Sequence, residues 1–124
     1  MFSFLTGNTD MHLKNFSLLV QPGLGMVLSP AYYLVNTSLV NPADNDELAL
    51  NLNGKKKKLQ KQDFVDAMNT VNLEERQQRN ILAKMEKAKP KCLAQIDISF
   101  LRDEYKEHCK VIVNERFERI NRIR

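Results

Sequence analysis

The stretch GNTDMHLKNFSLL, residues 7–19, decides how the rest of this chain is read. It crowds Asp10, His12, Lys14 and Asn15 into six consecutive positions, directly ahead of an apolar run. Asp and Asn side chains bond readily to nearby backbone, so on residue type alone the cluster shapes a loop before a strand. The apolar run itself fits a strand. KNFSLLVQ and GMVLS are short apolar runs around PGLG, where Pro22 and Gly23 suit a tight turn, and this predicts a β-hairpin.

Farther along, SPAYYLVNTSLVNPADNDE holds two prolines and an Asn/Asp cluster and reads mostly as loop. LALNLNGKKKKLQ alternates Leu48, Leu50 and Leu52 with polar or small residues ahead of Asn53-Gly54, the dipeptide a type I′ turn prefers. A second hairpin is expected there, with the lysines on its exposed return. After residue 61 the period becomes helical. Phe64, Val65 and Met68 predict a helix over 62–69, and Leu73, Ile81, Leu82 and Met85 a second one that Pro90 ends. Ser99 is the expected N-cap of a last helix. Its apolar stripe runs through Phe100, Leu101, Tyr105, Cys109, Ile112, Val113, Phe117 and Ile120, all expected in the core. The predicted class is α+β, mainly α: two short β-hairpins followed by a helical bundle.

Composition narrows the function classes. A chain of 124 residues, 43% hydrophobic, is one domain able to bury a core. The start MFSFL is too short for a signal peptide, and no run approaches the roughly 18 apolar residues a membrane helix needs. Cys92 and Cys109 lie far apart without CxxC spacing, so neither a disulfide framework nor a zinc site is implied, and a reduced, cytoplasmic protein is expected. The net charge of +4 comes largely from GKKKKLQK. Lys55, Lys56, Lys57 and Lys58 could contact phosphate or nucleic acid, although a lysine run is more often a solvated loop.

Phosphoryl transfer needs a carboxylate that orients and accepts the proton of the attacking hydroxyl, with oxygen ligands for Mg²⁺ nearby. In protein kinases these are the Asp and Asn of H-R-D-x-x-x-x-N, and Asp10 and Asn15 have the same five-residue separation. The longer string is more specific. GNTDMHLKNFSLL, a hairpin and then LSPAYYLVNT resemble the catalytic core of the HipA-like serine/threonine kinases. LALNLNGKKKKLQKQDF and the closing ISFLRDEYKEHCKVIVNERFERIN are similar to that family's C-terminal region, so the resemblance covers nearly all of residues 1–124. It implies a protein-kinase-like C-lobe in which Asp10 is the catalytic aspartate, Lys14 faces phosphate and Asn15 is a Mg²⁺ ligand. His12 orients the loop or serves as a core or capping histidine, and Gly7 and Asn8 shape the turn into it. Mg²⁺ and ATP are the cofactors implied for the intact family. The implied partners are a HipB-like helix-turn-helix antitoxin or a separate N-lobe chain, with DNA contacted indirectly at most and no membrane.

Two departures from the family pattern carry expectations of their own. The family's SPAYD supplies a second metal-binding aspartate, whereas this chain reads SPAYY, with Tyr33 there. A phenol with a pKa of about 10 is neutral at pH 7 and a poor ligand for Mg²⁺. Impaired catalysis is therefore expected. Gly7, Gly23, Gly25 and Gly54 form no G-x-G-x-x-G, so the ATP-binding N-lobe is expected to be absent, with no ATP or Mg²⁺ bound by the chain alone. Homodimerisation through the uncovered lobe surface is a further expectation. The alternative is a non-catalytic module that binds a protein partner or DNA within a repressor complex.

Overall fold

In the computed structural model, which describes residues 1–122, the chain starts in a short helix, α1 (Phe2–Thr6). Gly7 ends it at φ 76°, with its own N–H bonded to Phe4 O and the Asn8 N–H to Ser3 O. That pair of bonds is the Schellman closure, which needs a left-handed residue where a side chain is costly. Space forbids a side chain as well, since a Cβ on Gly7 would lie 2.6 Å from Asn36 Oδ1. The chain then makes a 3₁₀ turn at Leu13–Asn15 and enters β1 (Leu18–Gln21), paired antiparallel with β2 (Gly25–Leu28) in the register Leu18↔Leu28 to Gln21↔Gly25. The predicted turn is present: Leu24 N–H bonds Gln21 O across Pro22 and Gly23, and Gly23 has φ 81°. Proline followed by a positive-φ glycine is the type II arrangement.

The 30s are mostly loop, with a single turn, α2 (Thr37–Val40), capped by Asn36 Oδ1 accepting from Leu39 N–H. The predicted second hairpin is reduced to its turn. Asn53 (φ 50°) and Gly54 (φ 72°) take the left-handed conformations of a type I′ turn, but only the Leu52↔Lys55 bridge forms, with no strand on either side. Side chains replace the ladder. Glu47 turns inward to accept from Leu59 N–H at 2.8 Å, Asp63 takes Lys55 Nζ and Asn53 Nδ2, and Lys58 at φ 52° breaks the extended path.

Helix α3 (Lys61–Thr70) opens with a capping box in which Asp63 accepts from the Gln60 N–H. Burial alone would raise the Asp63 pKa, but the bonds from Lys55, the Gln60 N–H and Asn53 outweigh it and hold it below the usual carboxylate value.

Two expectations about the last helices fail. Helix α4 (Glu75–Asp97) runs through Pro90 rather than ending there. An interior proline removes a backbone bond and costs about 3 kcal/mol. Leu93 and Ile96 beyond it pack on the same core as Ile81, Leu82 and Met85 before it, and their burial offsets that cost. Nor does Ser99 cap the last helix. Its hydroxyl donates back to Ile96 O, and α5 (Asp103–Asn121) starts later, with Asp103 and Glu104 in its first turn. The apolar stripe is accordingly buried only from Cys109 onward, at Cys109, Val113, Phe117 and Ile120, while Phe100 is fully exposed and Tyr105 partly so.

Helix α5 is the spine. Phe4 and Leu5 of α1, Leu59, Phe64 and Met68 of α3, and Val113, Phe117 and Ile120 form one cluster. The Phe4 ring lies 5.1 Å from that of Phe64 and carries the guanidinium groups of Arg116 and Arg119 at 4.7 and 5.3 Å. Arg119 also holds Glu47 at 2.6 Å, which ties the loop ahead of α3 to α5.

Candidate functional site

The site hangs from the end of α1. Because α1 packs on α5, the residues just after it are fixed from beneath: Asn8 is 1% exposed and Thr9 is 8%. Asn8 uses both ends of its amide, with Oδ1 accepting from Asp10 N–H at 3.1 Å and Nδ2 donating to Tyr33 O at 2.7 Å. Thr9 N–H donates to Thr37 Oγ1 at 2.7 Å, and the two hydroxyls lie 2.9 Å apart. The loop at 8–10 is thus stitched to the 33–37 loop by buried polar bonds that apolar side chains could not supply.

On that platform Asp10 presents a half-exposed carboxylate. His12 Nε2 lies 3.1 Å from Oδ1, and the Tyr33 hydroxyl donates to Oδ2 at 2.9 Å. Asn15 Nδ2 donates to the Asp10 backbone carbonyl at 2.9 Å, which leaves its Oδ1 as the oxygen free to meet a cation. Tyr33 sits at φ 58°, unusual for a bulky side chain, with its carbonyl held by Asn8. Its pKa is raised above the ordinary phenol value by the hydrogen bond to Asp10, then by the Asp10 charge and by slight desolvation. Asp10, His12, Asn15, Tyr33, Gly7 and Asn8 are therefore brought together as one unit.

Lys14 is placed differently. It is exposed on the 3₁₀ turn and does not line the cleft beside Asp10. That cleft, about 340 Å³, is bounded by Thr9, Asp10, His12, Thr37, Asp44 and Lys56, among others. The four consecutive lysines point to different fates: Lys55 pairs with Asp63 at 2.8 Å, Lys57 with Asp46 at 3.5 Å, and Lys56 alone of them reaches the cleft. Thr9, Thr37 and Asp44 were not singled out in the sequence, where nothing local marks them. They matter because the 36–46 segment folds back over Gly7, with Ser38 N–H bonded to Gly7 O.

The donor set does not amount to a Mg²⁺ site. Mg²⁺ is usually held by one or two carboxylates. Asn15 offers an amide oxygen and Tyr33 a neutral phenol, which leaves Asp10 as the single carboxylate of the three, with its Oδ2 accepting from Tyr33 and its Oδ1 facing His12. Among the described residues no three His, Cys, Asp or Glu side chains are disposed to hold a metal ion.

A second cavity of about 470 Å³, mostly apolar, lies between α1, α4 and α5 and has both Cys92 and Cys109 in its wall. Burial pushes both thiols up, so neither is an activated nucleophile. No described helix is long and apolar enough to cross a membrane.

Comparison with known proteins adds one match. The model of a family described as the HipA-like C-terminal domain matches residues 1–93, a span that takes in α1, the hairpin, the whole Asp10 cleft and most of α4. No curated protein matches the chain.

Proposed function

Because this chain belongs to the HipA-like C-terminal domain family, we propose that it is the catalytic lobe of a HipA-like serine/threonine kinase, a toxin component, impaired at its metal position. The observation that carries this reading is the Asp10–Asn15–Tyr33 arrangement. Asn15 braces the Asp10 backbone from five residues away, which supports a catalytic loop whose carboxylate orients an attacking hydroxyl and takes its proton. Tyr33 at the second metal position supports the loss of function.

Mg-ATP is the phosphoryl donor that the family resemblance implies, and the Asn15 Oδ1 would be an oxygen able to meet its cation. Without a second carboxylate the expected loss of rate is at least about 10²-fold, the usual cost of removing one electrostatic contact from a transition state. Asp10 and Asn8 still do their part, holding the proton-accepting oxygen in a fixed place. Lys56, rather than Lys14, lines the cleft and would be the lysine to meet an anionic group there.

The test is thermal stability of the chain and of its Tyr33→Asp variant, each with and without excess Mg-ATP. A ligand at a hundredfold excess over its dissociation constant stabilises the folded state by about 2.7 kcal/mol. The expected result is no shift for the native chain and a shift for the variant. Equal shifts, with full phosphoryl transfer by the native chain, would sink the proposal.

A second reading, a non-catalytic interaction module, is favoured by the first hairpin. Leu18, Val20, Met26 and Leu28 are all more than half exposed, the kind of surface that partners cover. An N-lobe chain, a HipB-like antitoxin or a second copy of this chain would each fit that role. The DNA version has less support, since Lys55 and Lys57 are already paired with acids.

A further inference from the structure

Tyr33 does more than fail as a metal ligand. We infer that its hydroxyl is a built-in occupant of the acceptor position: it takes up the Asp10 oxygen that an incoming serine or threonine hydroxyl would need. This rests on the reading of Asp10 as the proton-accepting carboxylate.

The geometry is specific. Asp10 has two carboxylate oxygens, with Oδ1 facing His12 Nε2 at 3.1 Å and Oδ2 accepting from the Tyr33 hydroxyl at 2.9 Å. A second hydroxyl donor at Oδ2 would have to compete with a tethered one. The tether is short and rigid, because the buried Asn8 amide bonds both the Asp10 N–H and the Tyr33 carbonyl. One side chain therefore positions the acceptor and its occupant together. Tyr33 holds a left-handed backbone while its phenol reaches Asp10, and a bulky residue stays in that conformation only when surrounding bonds hold it. The raised Tyr33 pKa agrees, since the neutral, donating phenol is the form that Asp10 favours.

This separates two effects of one residue. Loss of the metal-binding acid would be the same for Tyr or Phe at this position; occupation of Asp10 would not. Tyr33→Phe should free the carboxylate while leaving the ring in place.

Availability of Asp10 can be read directly from the rate at which a carbodiimide couples an amine to it, measured by mass spectrometry against the fully exposed Asp103. Phosphoryl transfer by Tyr33→Asp, which restores an acid at the metal position, is monitored separately with labelled Mg-ATP and dephosphorylated casein. The expected result for Tyr33→Phe is about a tenfold gain in the labelling of Asp10, the worth of one charge-assisted hydrogen bond. Native Asp10 labelling as fast as Asp103 would overturn the inference. So would Tyr33→Phe with no gain in labelling of Asp10, and transfer by Tyr33→Asp would then leave the kinase reading standing. Absence of transfer by Tyr33→Asp would remove that reading and the inference with it.

Discussion

Phe4 and Leu5 are 0% and 1% exposed, whereas Leu18 and Val20, a few residues later, are 60% and 80% exposed. Both pairs are apolar and both lie in regular structure, so hydrophobicity does not separate them. What separates them is a backing element. Helix α1 lies on α5, which supplies Val113, Phe117 and Ile120 beneath it. The hairpin satisfies its own backbone bonds through the β1–β2 ladder, but every residue of its two strands except Val27 is exposed. A lone two-stranded hairpin is marginal in water. Between the two regions lies the Asp10 loop, anchored on the α1 side by Asn8 and running out into the hairpin through Asn15. The carboxylate thus stands at the junction between a packed base and an uncovered flap.

The contrast can be broken by mutation, and the largest effect belongs to the packed base. Phe117→Ala empties a nearly fully buried site in α5 and is expected to cost about 3–5 kcal/mol, read as a shift of the urea midpoint at constant slope. A loss under about 1 kcal/mol would mean that α5 is not the backing element. Asn8→Ala comes next. It leaves the Tyr33 carbonyl and the Asp10 N–H without their partner, and about 1–3 kcal/mol is expected. It should also loosen the 33–37 loop, seen as faster amide hydrogen exchange there than in α5. Unchanged exchange would show that Asn8 does not stitch the loops. Smallest is Val20→Thr in the hairpin, expected within about 0.5 kcal/mol because the side chain is already in water. A cost above about 1 kcal/mol that depended on protein concentration would reveal a second copy covering the flap.

The first hairpin was legible because its signals are local: two apolar runs and a Pro-Gly turn, all within the reach of backbone preference. Helix α3 was legible for the same reason, and so was the left-handed Asn53-Gly54 pair. The strands expected around that pair were not formed: on the return side Glu47 takes the Leu59 N–H, Asp63 the Gln60 N–H, and Arg119 donates to Leu59 O. Pro90 misled in the opposite direction. Its local cost is real, but helix continuation is decided by what Leu93 and Ile96 bury on the far side.

For the site, the sequence by itself determined the loop composition: the Asp10–Asn15 spacing, a glycine at the turn into the loop and a tyrosine where the resemblance calls for an acid. Only the tertiary structure decided that Tyr33 bonds Asp10 across 23 residues, that Lys56 rather than Lys14 lines the cleft, and that Asn8 holds both loops. Residue preferences act over a few positions. Which distant side chains meet is fixed by how α1 and the returning 36–46 segment pack against α5, and that depends on the buried surface of the whole chain.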